Sequence, residues 1–200
     1  KTGRGTQSLV GNEGAFSMFA RRAISAAAVF VCTAAMAVAG PIKLMPADPQ
    51  PSADALTEGL AVAYAFPPDV KSLRDAEYFA KEAKPGEPLI GFDYIDTEDG
   101  EPVMTSGQSI QVVAKISGFL KFDAPGVYEV DFISNDGLRV HIGGQKVSEF
   151  DGRHPCENAG ITQVEAPVAG WYPLEALYFQ RVGTACLLAE WTPPGGELDW

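Results

Sequence analysis

Three carboxylates, those of Asp136, Asp151 and Glu190, are the side chains of this sequence best suited to acid–base chemistry. Hydrolysis of a glycosidic bond needs two carboxylates that face the same bond at a defined separation. Nothing in the sequence shows that any two of these three converge on one point. We therefore predict a protein without catalytic residues that is not an enzyme.

Two cysteines, Cys156 and Cys186, are separated by 30 positions in the chain. In an oxidising compartment they form a candidate disulfide, whose loop closure would stabilise the fold by roughly 3 kcal/mol. The alternative is a nucleophilic Cys/His site, because His154 and Pro155 directly precede Cys156. No third group that would orient such a site is identifiable, so the disulfide is the favoured interpretation.

The elements that position these residues are clearest in residues 124–150. Tyr128, Val130 and Phe132 alternate with polar residues, as in a strand covered on one side. After a turn at residues 134–137 the alternation resumes, and Gly143-Gly144 permits a two-residue turn that sets Val140 opposite Val147. Three successive antiparallel strands are therefore predicted.

The rest of the chain fits an all-β domain with many turns. Its 21 glycines and 15 prolines fall between short apolar runs, and 46% of the residues are hydrophobic. One short helix is predicted at residues 73–83, where Leu73, Ala76 and Phe79 recur at helical intervals. Further strands are predicted at residues 60–66, 109–122, 161–166, 171–180 and 184–191.

The N-terminal region resembles an export signal. Arg21 and Arg22 precede an apolar run at residues 23–35, and Ala37-Val38-Ala39 is typical of a signal-peptidase site. We predict an upstream extension at residues 1–17 that precedes Met18, a signal peptide at 18–39 and a linker at 40–58. Prolines in residues 41–54 are expected to prevent regular structure there. An uncleaved membrane anchor is the alternative, although the apolar run is short for a bilayer.

Cleavage of this signal would leave an acidic protein that is secreted, periplasmic or on the cell surface. It would remove Cys32 and leave 11 basic and 25 acidic residues, a net charge of −14. This charge disfavours nucleic acid and anionic membrane surfaces as partners, and no stable membrane insertion of the mature chain is expected. It is compatible with neutral sugars or cations, and equally with an acidic surface that only maintains solubility.

The order of motifs resembles the protective-antigen N-terminal domain family, which occurs in bacterial glycosidases, toxins and yeast adhesins. The matching residues are Gly59-Leu60 and Tyr64, Ser117-Gly118-Phe119-Leu120, Ala124-Pro125-Gly126, Ser134-Asn135-Asp136-Gly137-Leu138-Arg139-Val140, Ala169-Gly170-Trp171-Tyr172-Pro173-Leu174, Leu177-Tyr178-Phe179 and Ala185-Cys186-Leu187-Leu188 with Trp191. The resemblance implies an antiparallel β-sandwich over residues 59–194, followed by a tail at 195–200.

The resemblance also implies a carbohydrate-binding or adhesive module. In the yeast adhesins, calcium sits on adjacent aspartates joined by a cis peptide, at the position of Asn135-Asp136 here. Asn135 replaces one carboxylate, and Gln180 with Arg181 stands where those adhesins place an asparagine. We therefore consider two roles for Asn135 and Asp136, as ligands of calcium or as a turn only.

The predicted ligand-binding residues are Asn135, Asp136, Asp151 and Gln180, and the predicted partner is a glycan or cell-surface polysaccharide. The loop at residues 151–154 borders this site or is only a solvated turn. Trp171, Tyr172 and Trp191 could stack on sugars, but on alternating strands such residues usually belong to the core. The alternative function is a structural or protein-interaction module of the cell envelope. Convergence of the predicted residues into one pocket would favour the carbohydrate interpretation.

Overall fold

Two mainly antiparallel β-sheets packed face to face form the architecture of the computed structural model, which describes residues 40–196. The predicted upstream extension, the predicted signal peptide and residues 197–200 of the predicted tail lie outside the described residues. The predicted all-β class with one short helix is confirmed.

The first sheet contains six strands. Five follow the order β1 (Ile42–Lys43), β10 (Thr162–Ala166), β6 (Gly126–Ser134), β12 (Leu187–Thr192) and β4 (Asp93–Tyr94), while β9 (Glu157–Asn158) also pairs with β6. All its pairings are antiparallel except that of β1 with β10.

The second sheet also contains six strands. Their order is β3 (Lys84–Pro85), β2 (Ala61–Ala65), β5 (Val112–Phe122), β11 (Gly170–Gln180), β7 (Leu138–Ile142) and β8 (Gln145–Phe150). The two longest strands, β5 and β11, pair over their full length of 11 residues. β5 runs without interruption through Gly118, where Leu60 of the neighbouring β2 region packs closely over the missing side chain.

Alternating apolar residues of both sheets meet in one core, as the period-two pattern predicts. Tyr128, Val130 and Phe132 are buried, which confirms the prediction for β6. The ring of Phe122 packs edge-on against Tyr128 and Tyr172, with ring centroids 4.7 and 4.9 Å apart. Such edge-to-face contacts add to the stabilisation that comes from burial alone.

The helix α1 (Leu73–Phe79) continues into a 3-10 turn at Ala80–Glu82. Ser72 caps its N-terminus, because the Ser72 hydroxyl accepts a hydrogen bond from the Asp75 nitrogen. Leu73 and Ala76 pack in a small separate cluster with Val113 and Phe179. The helix thus covers one end of the outer face of the second sheet.

Two predictions about the strands are wrong. β6 and β7 do not pair, because β6 lies in the first sheet and β7 in the second. Gly143 and Gly144 do form the tight turn, with φ of +54° and +72°, but a β-bulge between Val140 and His141 places Ser148 opposite Val140. The extra residue explains why Val147 is not the partner of Val140.

The predicted linker is also corrected, since part of it has regular structure. Ile42–Lys43 forms the parallel edge strand β1, and Leu44 is 1% exposed in the core. The Leu44 nitrogen donates a hydrogen bond to the Glu165 carbonyl, so the prolines around this segment allow it to pair. A short apolar segment between prolines gave no periodic signal by which the strand could be predicted.

Candidate functional site

The turn that passes from the first sheet to the second, residues 134–137, is the centre of the candidate site. Asp136 has a φ of +57°, a left-handed conformation that Asp tolerates better than most residues. Gly137 is required for a different reason, since a side chain there would overlap the ring of Phe179. Asp136 thus tolerates the left-handed conformation, and the absence of a side chain at Gly137 leaves room for the Phe179 ring.

Three loops converge on this turn. The Asn135 nitrogen donates a hydrogen bond to the Cys186 carbonyl at 3.2 Å, and the Asp136 nitrogen donates to the His154 carbonyl at 3.1 Å. The Asp136 carboxylate accepts a hydrogen bond of 2.7 Å from the Arg181 nitrogen. The segments around residues 135, 154 and 181–186 thus meet at one end of the sandwich.

Asp136 is enclosed by these loops, and the residue is 5% exposed. Burial raises the pKa of Asp136 above its usual value, and the hydrogen bond from the Arg181 nitrogen opposes that shift. Burial, followed by the charges of Asp136 and Asp96, also raises the pKa of Tyr178. These two acids are therefore held in an environment that disfavours negative charge.

Asn135 is enclosed as well, at 7% exposure. Its Nδ2 donates to the His154 carbonyl, while its Oδ1 has no hydrogen-bond partner among the described residues. Calcium needs six to eight oxygen ligands, and a sugar must be able to reach the ion. Asn135 Oδ1 is an unpartnered oxygen that an ion could bind, whereas the Asp136 carboxylate already binds the Arg181 nitrogen. The geometry shows the turn, and calcium at Asn135 and Asp136 stays a prediction.

Gln180 is fully buried, which corrects its assignment as a ligand-binding residue. Its Nε2 donates to the carbonyls of Val182 and Thr184, and its Oε1 accepts from the Tyr178 hydroxyl. Every polar group of the Gln180 side chain is thereby used inside the fold. The residue holds the loop after β11 in shape and does not reach solvent.

Asp151 is exposed but lies against the helix. Its Oδ1 accepts a hydrogen bond of 2.7 Å from the Leu73 nitrogen, one of the unpaired amides at the start of α1. The loop at residues 151–154 is not simply a solvated turn, because His154 is 9% exposed and packs on the ring of Phe150. Asp151 therefore serves the fold through α1, and it lies outside the hydrogen bonds that join Asp136 to its neighbours.

The disulfide between Cys156 and Cys186 is present, with the Cα atoms 5.9 Å apart. It joins the loop that contains His154 to the start of β12, directly beside the Asn135 backbone hydrogen bond. Asp96 lies close to both sulfur atoms, which are bonded to each other and so do not form a metal site. With its sulfur in the disulfide, Cys156 is not a free nucleophile.

The three candidate catalytic carboxylates have separate surroundings. Asp136 binds the Arg181 nitrogen, Asp151 binds the Leu73 nitrogen, and Glu190 lies on β12 opposite Asp131. Nothing in this arrangement places two of the three on one bond. It gives no support to a hydrolytic pair formed by these residues.

Sequence reasoning considered Arg181 and the loop that contains Arg153, but it missed Asp69, which lies beside Arg181 at the surface. The Arg181 side chain pairs with Asp69 at 3.0 Å, and Arg153 is exposed and carries a charge that opposes part of the rise in the pKa of Asp136. Asp69 and Arg181 are 112 positions apart, and Arg181 approaches Asp136 through its main chain. No spacing in the sequence could have indicated these contacts. We call the two arginines, Arg153 and Arg181, together with the Asp69 carboxylate that pairs with Arg181, the basic rim.

The clefts of the surface lie away from the predicted residues. Four clefts of about 300 to 550 Å³ in the described part of the chain have none of Asn135, Asp136, Asp151 and Gln180 in their lining. The loops thus converge without forming an open pocket among those clefts. Of the three aromatic residues considered, Tyr172 is fully buried, Trp191 packs on Phe122 and Tyr128, and Trp171 is partly exposed.

Residues 40–196 include no helix with the length and apolar character needed to cross a membrane.

Comparison with solved structures shows the fold. The chain is similar to the PA14 sugar-binding domain of an RTX adhesin, with a TM-score of 0.59 and 18% identity over 72% of this chain and 94% of that chain. It is also similar to the PA14 domain of the MpAFP antifreeze protein, with a TM-score of 0.58, 13% identity and coverage of 70% and 84%.

A third similar structure is the A domain of Epithelial Adhesin 9 from Candida glabrata, in complex with Galb1-3GlcNAc. Its TM-score is 0.59, with 14% identity over 80% of this chain and 92% of that chain. A search of curated protein sequences finds no significant match. The family model described as PA14 domain matches residues 71–199, about two thirds of the sequence. The chain therefore belongs to the PA14 domain family.

Proposed function

We propose that this protein is a non-catalytic carbohydrate-binding or adhesive module, secreted or periplasmic, whose partner is a glycan or cell-surface polysaccharide. The observation that carries the proposal is the likeness of the whole sandwich to domains described as sugar-binding or solved with bound disaccharides. The net charge of −11 for the full sequence also suits a neutral ligand better than a polyanion.

The basic rim is the part of the loop cluster that we assign to the sugar. Sugar hydroxyls both donate and accept hydrogen bonds. The Asp69 carboxylate, which pairs with both Arg181 and Lys71, and the Arg181 guanidinium offer both functions side by side. Arg153 adds a further exposed donor on the neighbouring loop. Asp136 supports the rim from within the fold, because its carboxylate fixes the Arg181 nitrogen.

Calcium is not part of the assignment to the basic rim, because the side chains of Asp69, Arg153 and Arg181 would contact the sugar directly. Sugar binding at the basic rim should therefore be the same in calcium and in a chelator. This separates the present mechanism from one in which an ion on Asn135-Asp136 coordinates the sugar.

The test is a screen of the full chain on an array of neutral glycans that includes β-galactosyl disaccharides, followed by calorimetric titration of the best glycan. Arg153→Ala should weaken binding at least tenfold, whereas Lys121→Ala, an exposed charge on β5, should leave it unchanged. Absence of binding to any glycan, in calcium or in chelator, would overturn the proposal. The alternative function, a structural or protein-interaction module, would then be favoured. Binding that the chelator abolishes would overturn the assignment to the basic rim.

A further inference from the structure

The outer face of the first sheet is strongly acidic. The strand pairings place five carboxylates at outward positions, with Lys43 the one basic residue at such positions in the described strands of this sheet; the acidic residues are Asp93, Glu129, Asp131, Glu165 and Glu190. This face is distinct from the loop cluster at the end of the sandwich. Like charges in such an arrangement repel each other and need compensation.

Asp131 and Glu190 are the two of these five carboxylates that the strand register pairs with each other. They are directly opposite each other on the antiparallel strands β6 and β12. Side chains in that relationship share one face, with Cβ atoms about 4.5–5.5 Å apart. No ion pair among the described residues involves either carboxylate. Protein cations therefore do not compensate the repulsion within the described part.

Asp131 is also buried, at 8% exposure. The Asn158 amide donates a hydrogen bond of 2.9 Å to Asp131 Oδ2, which fixes the orientation of the carboxylate. The other oxygen, Oδ1, is buried and has no hydrogen-bond partner among the described residues. A buried carboxylate oxygen without a partner is costly, so a ligand that binds it would stabilise the fold.

We propose that Asp131 and Glu190 bind a divalent cation of the calcium type between β6 and β12. The ion would neutralise the opposed carboxylates and supply the missing partner of Asp131 Oδ1. Because both donors are carboxylate oxygens, they suit a hard cation better than zinc or copper. Two carboxylates leave most coordination positions to water, so we expect a weak site with a Kd on the order of 10⁻⁴ to 10⁻³ M. The inference is independent of the sugar-binding proposal.

The test measures thermal unfolding of the full chain in chelator and in calcium at about ten times Kd. Calcium should raise the Tm of the unmodified protein by roughly 3–5 °C. Asp131→Asn and Glu190→Gln should each abolish that rise. Glu129→Gln removes a carboxylate from the same face of β6 but should still show the rise in Tm. Asp136→Asn at the loop cluster should also still show it.

A second readout distinguishes an ion site from a purely structural role of Asp131. In chelator, Asp131→Asn should be at least as stable as the unmodified protein, because it removes the repulsion with Glu190. In calcium, the unmodified protein should be more stable than Asp131→Asn. Terbium luminescence excited through tryptophan adds a direct signal, since Trp191 follows Glu190 in the chain.

Glu190 is only partly buried, so Glu190→Gln should fold even if Asp131→Asn does not. Failure of calcium to raise the Tm of the unmodified protein would overturn the proposal. A rise in the Tm of Glu190→Gln as large as that of the unmodified protein would also overturn it. Loss of the rise in Asp136→Asn together with its retention in Glu190→Gln would place the ion at the loop cluster instead.

Discussion

The carboxylate of Asp136 accepts a hydrogen bond of 2.7 Å from the main-chain nitrogen of Arg181. Asp136 lies in the turn between the two sheets, and Arg181 directly follows β11 of the second sheet. This hydrogen bond therefore connects the turn between the two sheets to the end of β11, which pairs with β5. It also turns inward a side chain whose sequence position suggested a metal ligand.

Two replacements of Asp136 should distinguish the contribution of its hydrogen bond to stability from the contribution of its charge. Asp136→Ala removes the acceptor of the Arg181 nitrogen and places Ala in a left-handed conformation, so we expect a loss of about 2–4 kcal/mol in the free energy of unfolding. Asp136→Asn keeps an acceptor and tolerates the positive φ, so its change should stay within about 1 kcal/mol. Urea unfolding measures both. Equal losses in the two variants would contradict this account of the turn.

The raised pKa of Asp136 predicts a dependence of stability on pH. The folded state holds the Asp136 proton more tightly than the unfolded state, whose pKa is near 3.8. The contribution of this group to stability is thus complete below pH 3.8 and decreases as the pH rises through the folded-state pKa. The stability of Asp136→Asn relative to the unmodified protein should accordingly increase from acid to neutral pH. Denaturant unfolding across that range measures the difference, and a constant difference would contradict the prediction.

The disulfide between Cys156 and Cys186 should stabilise the domain substantially. Its partners are 30 positions apart, which corresponds to about 3–4 kcal/mol in the chain-entropy model. The double variant Cys156→Ala with Cys186→Ala should lose about this amount. Reduction of the unmodified protein should produce the same loss, while the reductant should leave the double variant unchanged. A small loss in both experiments would show that the loops are held by their other contacts.

Leu44 tests whether the N-terminal segment belongs to the fold. Because Leu44 is 1% exposed, Leu44→Ala should lower the free energy of unfolding by about 2–5 kcal/mol. The neighbouring Met45 is 56% exposed, so Met45→Ala is the matched control and should change it by less than about 0.5 kcal/mol. A Leu44→Ala variant as stable as the control would mean that β1 is dispensable.

Asp151 tests the distinction between a ligand-binding and a helix-supporting residue. Asp151→Ala leaves the Leu73 nitrogen without its partner and should lower stability by about 1 kcal/mol. Glycan affinity should remain the same, because the Asp151 carboxylate is committed to α1. Parallel calorimetry and urea unfolding provide the two readouts. Weaker glycan binding with unchanged stability would assign Asp151 to the sugar site.

The sequence was sufficient for the class of the fold and for most of its strands. In β6 and β7, the alternation of apolar and polar residues, which Ile133 interrupts near the end of β6, reflects local geometry, since successive side chains of a strand face opposite sides. The helix was predictable for the same reason, because the spacing of Leu73, Ala76 and Phe79 places them near one helix face. Periodicity depends only on residues that are close together in the chain, so it can be recognised from the sequence.

The tertiary structure decided which strands pair and which polar residues face solvent. Turn chemistry at residues 134–137 is equally compatible with a hairpin and with a crossing between sheets, so the separation of β6 from β7 was not predictable. The bulge that brings Ser148 opposite Val140 likewise depends on the packing of the neighbouring strands.

The candidate site shows the same division. Asn135, Asp136 and Gln180 are polar in the sequence, but their burial follows from loops that arrive from distant parts of the chain, such as the Arg181 nitrogen and the His154 carbonyl. The opposition of Asp131 and Glu190 is likewise a property of strand register alone. The sequence by itself determined the elements and their apolar faces, because these depend on local periodicity. Contacts between residues that are remote in the chain were decided only when the two sheets packed together.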